Sequence, residues 1–142
     1  MNDLRLFYTR RLFSTLDKNM GATIWIQAEN AKEDEHVDDL SVLCKKMNLL
    51  DRACRKLGVR KWSEFQDNSI IAEEFGAEAE PVYSNPAELT LTIEASRTAI
   101  EDGLIHLDSS TQERLLEELD IASKVVEECY CSGIRARVKL VP

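Results

Sequence analysis

Histidine occurs only twice in this chain, at His36 and His106, and the five glycines are scattered rather than grouped. The glycine distribution leaves no phosphate loop, no Walker sequence, no dinucleotide fingerprint and no nucleophile elbow. Apolar residues never run on for the roughly twenty positions that cross a bilayer, which excludes a spanning helix. Four cysteines in 142 residues are too few for a disulfide-stapled scaffold, and no secretory signal precedes them. Cys44, Cys54 and Cys129 fall on helical apolar stripes, where a free thiol acts as a small hydrophobe. They are expected to be reduced, in a cytoplasmic setting.

The scarcity of histidine also bears on catalysis. His36 and Cys44 are eight residues apart on one expected helix, about 12 Å along its axis, too far for a thiolate pair. His106 precedes the last helix, whereas Cys129 and Cys131 lie near its far end. Two residues apart on a helix point about 200° apart, so Cys129 and Cys131 do not clasp one zinc ion. Cys129 is expected to be buried and Cys131 exposed. Carboxylate pairs are frequent (Asp38-Asp39, Glu73-Glu74, Glu117-Glu118, Glu127-Glu128), but they read as solvated helix faces. General acid–base work needs two carboxylates in unlike surroundings within a cleft. No catalytic, cofactor-binding or metal-binding residue is therefore expected.

What is present is charge and helical period. The net charge is −8. Residues 1–19 hold four basic residues against Asp3 and Asp17, a local +2 that leaves −10 on the remainder. Such a body repels nucleic acid, whose binding rests on phosphate neutralisation, and attracts cationic partners. A hydrophobic content of 44% at this length fits one globular domain.

The clearest pattern is a pair of helices between Asn85 and Gly133. Asn85-Pro86-Ala87-Glu88 combines a cap, a first-turn proline and a glutamate placed to complete a capping box. Leu89, Ile93, Ser96 and Ile100 follow at helical spacing, and Gly103 stops the helix. Ser110-Thr111-Gln112-Glu113 reads as a second capping box. Leu115, Leu119, Ala122, Val126 and Cys129 form the next stripe, with Arg114, Glu117, Glu118, Asp120 and Lys124 facing water. The short connection favours antiparallel neighbours.

Elsewhere, residues 22–29 read as a strand, and Val37, Leu40, Cys44, Met47, Leu50, Cys54 and Leu57 predict one helix over residues 35–57 ending at Gly58. Short helical turns are expected from Ser63 and Ser69, then an extended connection over residues 76–85. Ala136, Val138 and Leu140 alternate with Arg135, Arg137 and Lys139 in a closing strand, with one wet face or a protected edge. Residues 1–19 form an N-terminal extension: a docked amphipathic helix, or a segment upstream of a start at Met20. Residues 20–142 form a single α+β domain, a small sheet of N- and C-terminal strands packed against three main helices that include the antiparallel pair.

Leu57-Gly58-Val59, Trp62-Ser63-Glu64-Phe65, Tyr83-Ser84-Asn85-Pro86-Ala87-Glu88 and Thr92-Ile93, in that order, resemble a group of small bacterial α/β proteins without an assigned function. Here Tyr83, Asn85 and Leu89 stand where that group carries an aromatic, an acidic residue and a glycine. The resemblance implies a start shortly before the first strand, and it implies no catalytic residues.

The resulting expectation is a non-enzymatic intracellular interaction module, in the manner of an immunity protein or an adaptor. Its acidic surface would engage a basic protein, with no nucleic-acid or membrane partner. The alternative is a small-molecule-binding or enzymatic domain with a pocket between sheet and helices. The candidate contact residues are Trp25, Trp62, Tyr83, Glu88, Glu117 and Glu118.

Overall fold

The computed structural model describes residues 22–32 and 35–142. The readings made for residues 1–19 and Met20 lie outside the described residues. Along the chain run β1 (Thr23–Ala28), α1 (Ser41–Lys45), α2 (Met47–Leu57), α3 (Trp62–Phe65) and β2 (Gln66–Asp67). Then follow α4 (Ser69–Glu74), α5 (Pro86–Glu101), α6 (Ser109–Ser132) and β3 (Ala136–Val141). The class is α+β, with α2, α5 and α6 as the main helices.

The sheet has the order β1-β3-β2. β3 pairs antiparallel with β1, Ile24 opposite Leu140 and Ile26 opposite Val138, and parallel with the two residues of β2. Ser84, in the extended connection, adds a bridge to Ala136 on the β2 side. The last strand is therefore central rather than an edge. Its alternation is as regular as the sequence suggests: Ala136, Val138 and Leu140 are buried against the helices, and Arg137 and Lys139 rise from the other face.

Local chemistry explains most of the helix boundaries. The Asn85 side chain accepts from the Ala87 N–H at 2.9 Å, and Pro86 needs no acceptor in the first turn. Gly58 and Gly133 take φ of 75° and 68°, the left-handed stop that other residues avoid. After them the Val59 and Ile134 N–H groups donate back to Cys54 and Cys129, closing each helix end. α5 and α6 run antiparallel, joined across their surface by Arg97 and Asp120 at 2.6 Å.

Three expectations about helix ends require correction. The helix expected over residues 35–57 begins at Ser41 and is interrupted at Lys46. Before it, the Leu40 N–H donates to the Ile24 carbonyl at 3.0 Å and Asp39 accepts from the Trp25 indole at 2.6 Å. The segment thus follows the outer edge of β1, which needs cover, instead of coiling. The cap of α6 is Asp108, which accepts from the Thr111 N–H, rather than Ser110. Glu88 completes no capping box; its carboxylate turns to the Arg60 guanidinium.

Candidate functional site

Cys54 and Cys129 are poor nucleophiles: burial pushes both thiols up from their ordinary value, and the neighbouring Asp51 and Glu128 charges add to the shift. His36 and His106 are both exposed. Among the described residues, no three His, Cys, Asp or Glu side chains gather within reach of one metal ion. No described helix is long and apolar enough to cross a membrane.

The six candidate contact residues do not form one site. Trp62 is wholly buried, and its indole N–H donates to Ser96 Oγ at 2.9 Å. Ser96 in turn donates to the Thr92 carbonyl, so Trp62 is a satisfied core anchor. Glu88 is held at the surface with Arg60 and Glu64. Glu117 is exposed on α6.

Glu118 is not on the wet face and is corrected here: it is 3% exposed. Its carboxylate accepts from the Leu43 N–H at 2.8 Å and the Val42 N–H at 3.3 Å, with Arg114 at 3.6 Å. Those are orphan donors of the first turn of α1, whose own cap residue, Leu40, offers no side-chain acceptor. Glu118 is a bolt between helices. Period alone could have found it, since it lies three residues after Leu115 and four before Ala122 on the buried face.

Trp25 and Tyr83 do come together, on the sheet face turned away from the helices. A groove of about 390 Å³ there is lined by Trp25, Gln27, Glu29, Tyr83, Arg137 and Lys139. Lys139 lies over the Trp25 ring at 5.5 Å and Arg135 over Tyr83 at 4.9 Å. Beneath the groove, Asp67 binds the Arg137 guanidinium and accepts from the Ser69 and Val82 N–H groups at 2.9 and 3.1 Å. Burial pushes the Asp67 carboxyl up, but the bonds from Ser69, Arg137 and Val82 outweigh it and hold the group below its ordinary value. The space between sheet and helices holds packed core side chains, among them Ile24, Ile26, Val138 and Leu140, with a cavity of about 210 Å³ at its rim lined by Ile26, Ala28, Val37, Ile121 and Val125.

Charge is sorted by element more sharply than the chain average conveys. Residues 41–61 carry seven basic side chains against Asp51 alone, a local +6. Residues 86–132 carry eleven acidic side chains against Arg97, Arg114 and Lys124, a local −8 that equals the charge of the whole chain. Both totals are legible in the sequence, but a single average over everything after residue 19 merges them. The helices are layered so that α2 and α6 flank α5, each packing on it and scarcely on one another. One outer helix therefore presents Arg52, Arg55 and Lys56, and the other presents Glu113, Glu117 and Glu127, all exposed.

The chain matches no known family model, no curated protein and no solved structure.

Proposed function

We propose that this protein is a non-enzymatic, cytoplasmic interaction module that receives a basic protein on the outer faces of α5 and α6, as an immunity protein or an adaptor does. The observation that carries this reading is the local −8 of residues 86–132, of whose carboxylates only Glu118 is committed to the interior. Field lines from one exposed carboxylate face steer a cationic partner and set its register. Free, mostly buried thiols accord with a reducing compartment. Affinity capture from the native host, at low and at moderate salt, tests the proposal. One basic protein should be retained at low salt and released as ionic strength rises. A Glu113→Gln, Glu117→Gln, Glu127→Gln variant should lose it, and equal retention by this variant refutes the reading.

The groove on the open sheet face favours a second reading, the binding of a small planar molecule. Trp25 and Tyr83 supply flat apolar surface there, within a charged lining of mixed sign that holds Lys32, Arg137 and Lys139 with Glu29 and Glu35. A ligand in the groove raises the melting temperature with its concentration and changes Trp25 fluorescence. A panel of aromatic carboxylates and nucleotides that leaves both unchanged removes this reading.

A further inference from the structure

We infer that the basic face of α2 docks on the acidic face of α6 of a second copy of this chain, so that molecules associate head to tail. This deepens the preceding proposal by naming a partner for the acidic face, and it rests on that reading.

The basic face is available for such a contact. Arg52, Arg55 and Lys56 are exposed and form no ion pair among the described residues, whereas Arg60 is occupied by Glu64 and Glu88. The single acid of the stretch, Asp51, does not neutralise this face. It is half-buried and bonded to Trp62 and Ser63, where burial raises its pKa against those bonds. The complementary face has equally few internal partners: Glu113, Glu117 and Glu127 stand exposed along a helix of 24 residues. It is long enough, at roughly 36 Å, to accept the roughly 16 Å of α2.

The layer order makes the two faces compatible in one assembly. Cys54 meets Ser96 and Arg60 meets Thr92, so α2 is antiparallel to α5. α5 is antiparallel to α6, so α2 and α6 point the same way on opposite flanks. A translated neighbour therefore sets its α6 beside α2 in parallel, with Arg52, Arg55 and Lys56 at the height of the stretch between Glu117 and Glu127. Repeated by translation, an interface between unlike faces does not close on itself, and each assembly ends in one free basic and one free acidic face.

A phosphate backbone is the competing occupant of the basic face, and the surroundings disfavour it. An extended polyanion leaves the 16 Å stripe and meets residues 62–85, which hold six carboxylates and no base. A helix of limited length does not.

Sedimentation velocity over a range of concentrations tests the inference. At low salt the weight-average mass should climb beyond 16.2 kDa with concentration, and it should return to that value as salt rises to about 0.5 M. Arg52→Gln, Arg55→Gln, Lys56→Gln abolishes one face, and Glu113→Gln, Glu117→Gln, Glu127→Gln abolishes the other. Each variant alone should stay monomeric with an unchanged circular dichroism spectrum. An equimolar mixture, retaining one face of each kind, should stop at twice the monomer mass. Wild-type protein that remains monomeric at low salt overturns the inference, as does a mixture that fails to pair. Monomeric protein that binds a fluorescent oligonucleotide through the basic face replaces it with nucleic-acid binding. None of these outcomes touches capture of a basic protein other than this chain by the acidic face, which the lysate experiment judges separately.

Discussion

The two faces of β3 solve different problems with alternate residues of one strand. Toward the helices, Ala136, Val138 and Leu140 are at most 2% exposed and touch other apolar groups. Away from them, Arg137 and Lys139 enter a web of a carboxylate, backbone donors and an indole ring. The first face gains from area removed from water, which is forgiving in direction and strict in volume. The second gains only while every donor and acceptor keeps its partner. Loss of a methyl group harms the first face, and loss of a proton acceptor harms the second.

Truncation on the dry face gives the largest expected effect. Leu140→Ala leaves a cavity between sheet and helices and should lower stability by about 2–5 kcal/mol in urea unfolding, with little change in slope. Glu118→Ala removes the carboxylate embedded on the helical side and strands the Val42 and Leu43 donors. A loss of roughly 2–4 kcal/mol is expected. Glu118→Gln keeps an acceptor and should cost less than half as much, and equal costs would show that packing rather than capping makes the position matter.

On the polar face, Asp67→Asn should cost roughly 1–3 kcal/mol, because Arg137 is only 19% exposed at its side chain and loses its counter-charge. The sign of the pH dependence follows from the lowered pKa of Asp67. Its contribution is full above the ordinary carboxylate value of about 3.9 and is lost as pH falls through the lower folded-state value. Chemical denaturation between pH 5 and pH 2 should show a shallower decline for the variant than for the wild type. Trp25→Phe is expected to have the smallest effect, about 0.5–1.5 kcal/mol, from loss of the 2.6 Å bond to Asp39. Faster hydrogen exchange at the Leu40 amide would place that loss in the segment covering β1.

How much of this was legible follows the same division. The dry face was readable in most places: the stripe from Leu115 to Cys129 is buried as its period requires, and so are Ile24, Ile26 and the alternate residues of β3, whereas Leu57 ends its stripe 40% exposed and Glu118 joins the buried face. Stops at Gly58 and Gly133 and the cap at Asn85 were readable because each is a short-range rule. The same short-range rules carried the resemblance noted for Leu57 to Ile93, whose residues serve here mainly as helix ends and core anchors. Polar contacts between distant segments were not readable. Nothing local to Glu118 announces the donors of α1, some 75 residues away. Nothing local to Asp67 announces Arg137, and two residues of β2 are too few to show a period. The break at Lys46 was hidden for a different reason, since an apolar stripe persists across an interruption that leaves both halves facing the same core.

The central position of β3 has a consequence for the order of events during folding. β1 and β2 never pair with one another, so neither has a strand partner until residues 136–141 arrive. Glu29 and Arg135, at the hinge between the outer strand and its partner, are 106 positions apart. Closing so long a span is an entropic toll that local helices do not bear, and it slows formation of the transition state. During synthesis the helices have every contact they need to begin assembling, while β1 waits with its edge open. The segment before α1 covers only the outer edge of β1, so the edge that β3 takes stays open until residues 136–141 arrive.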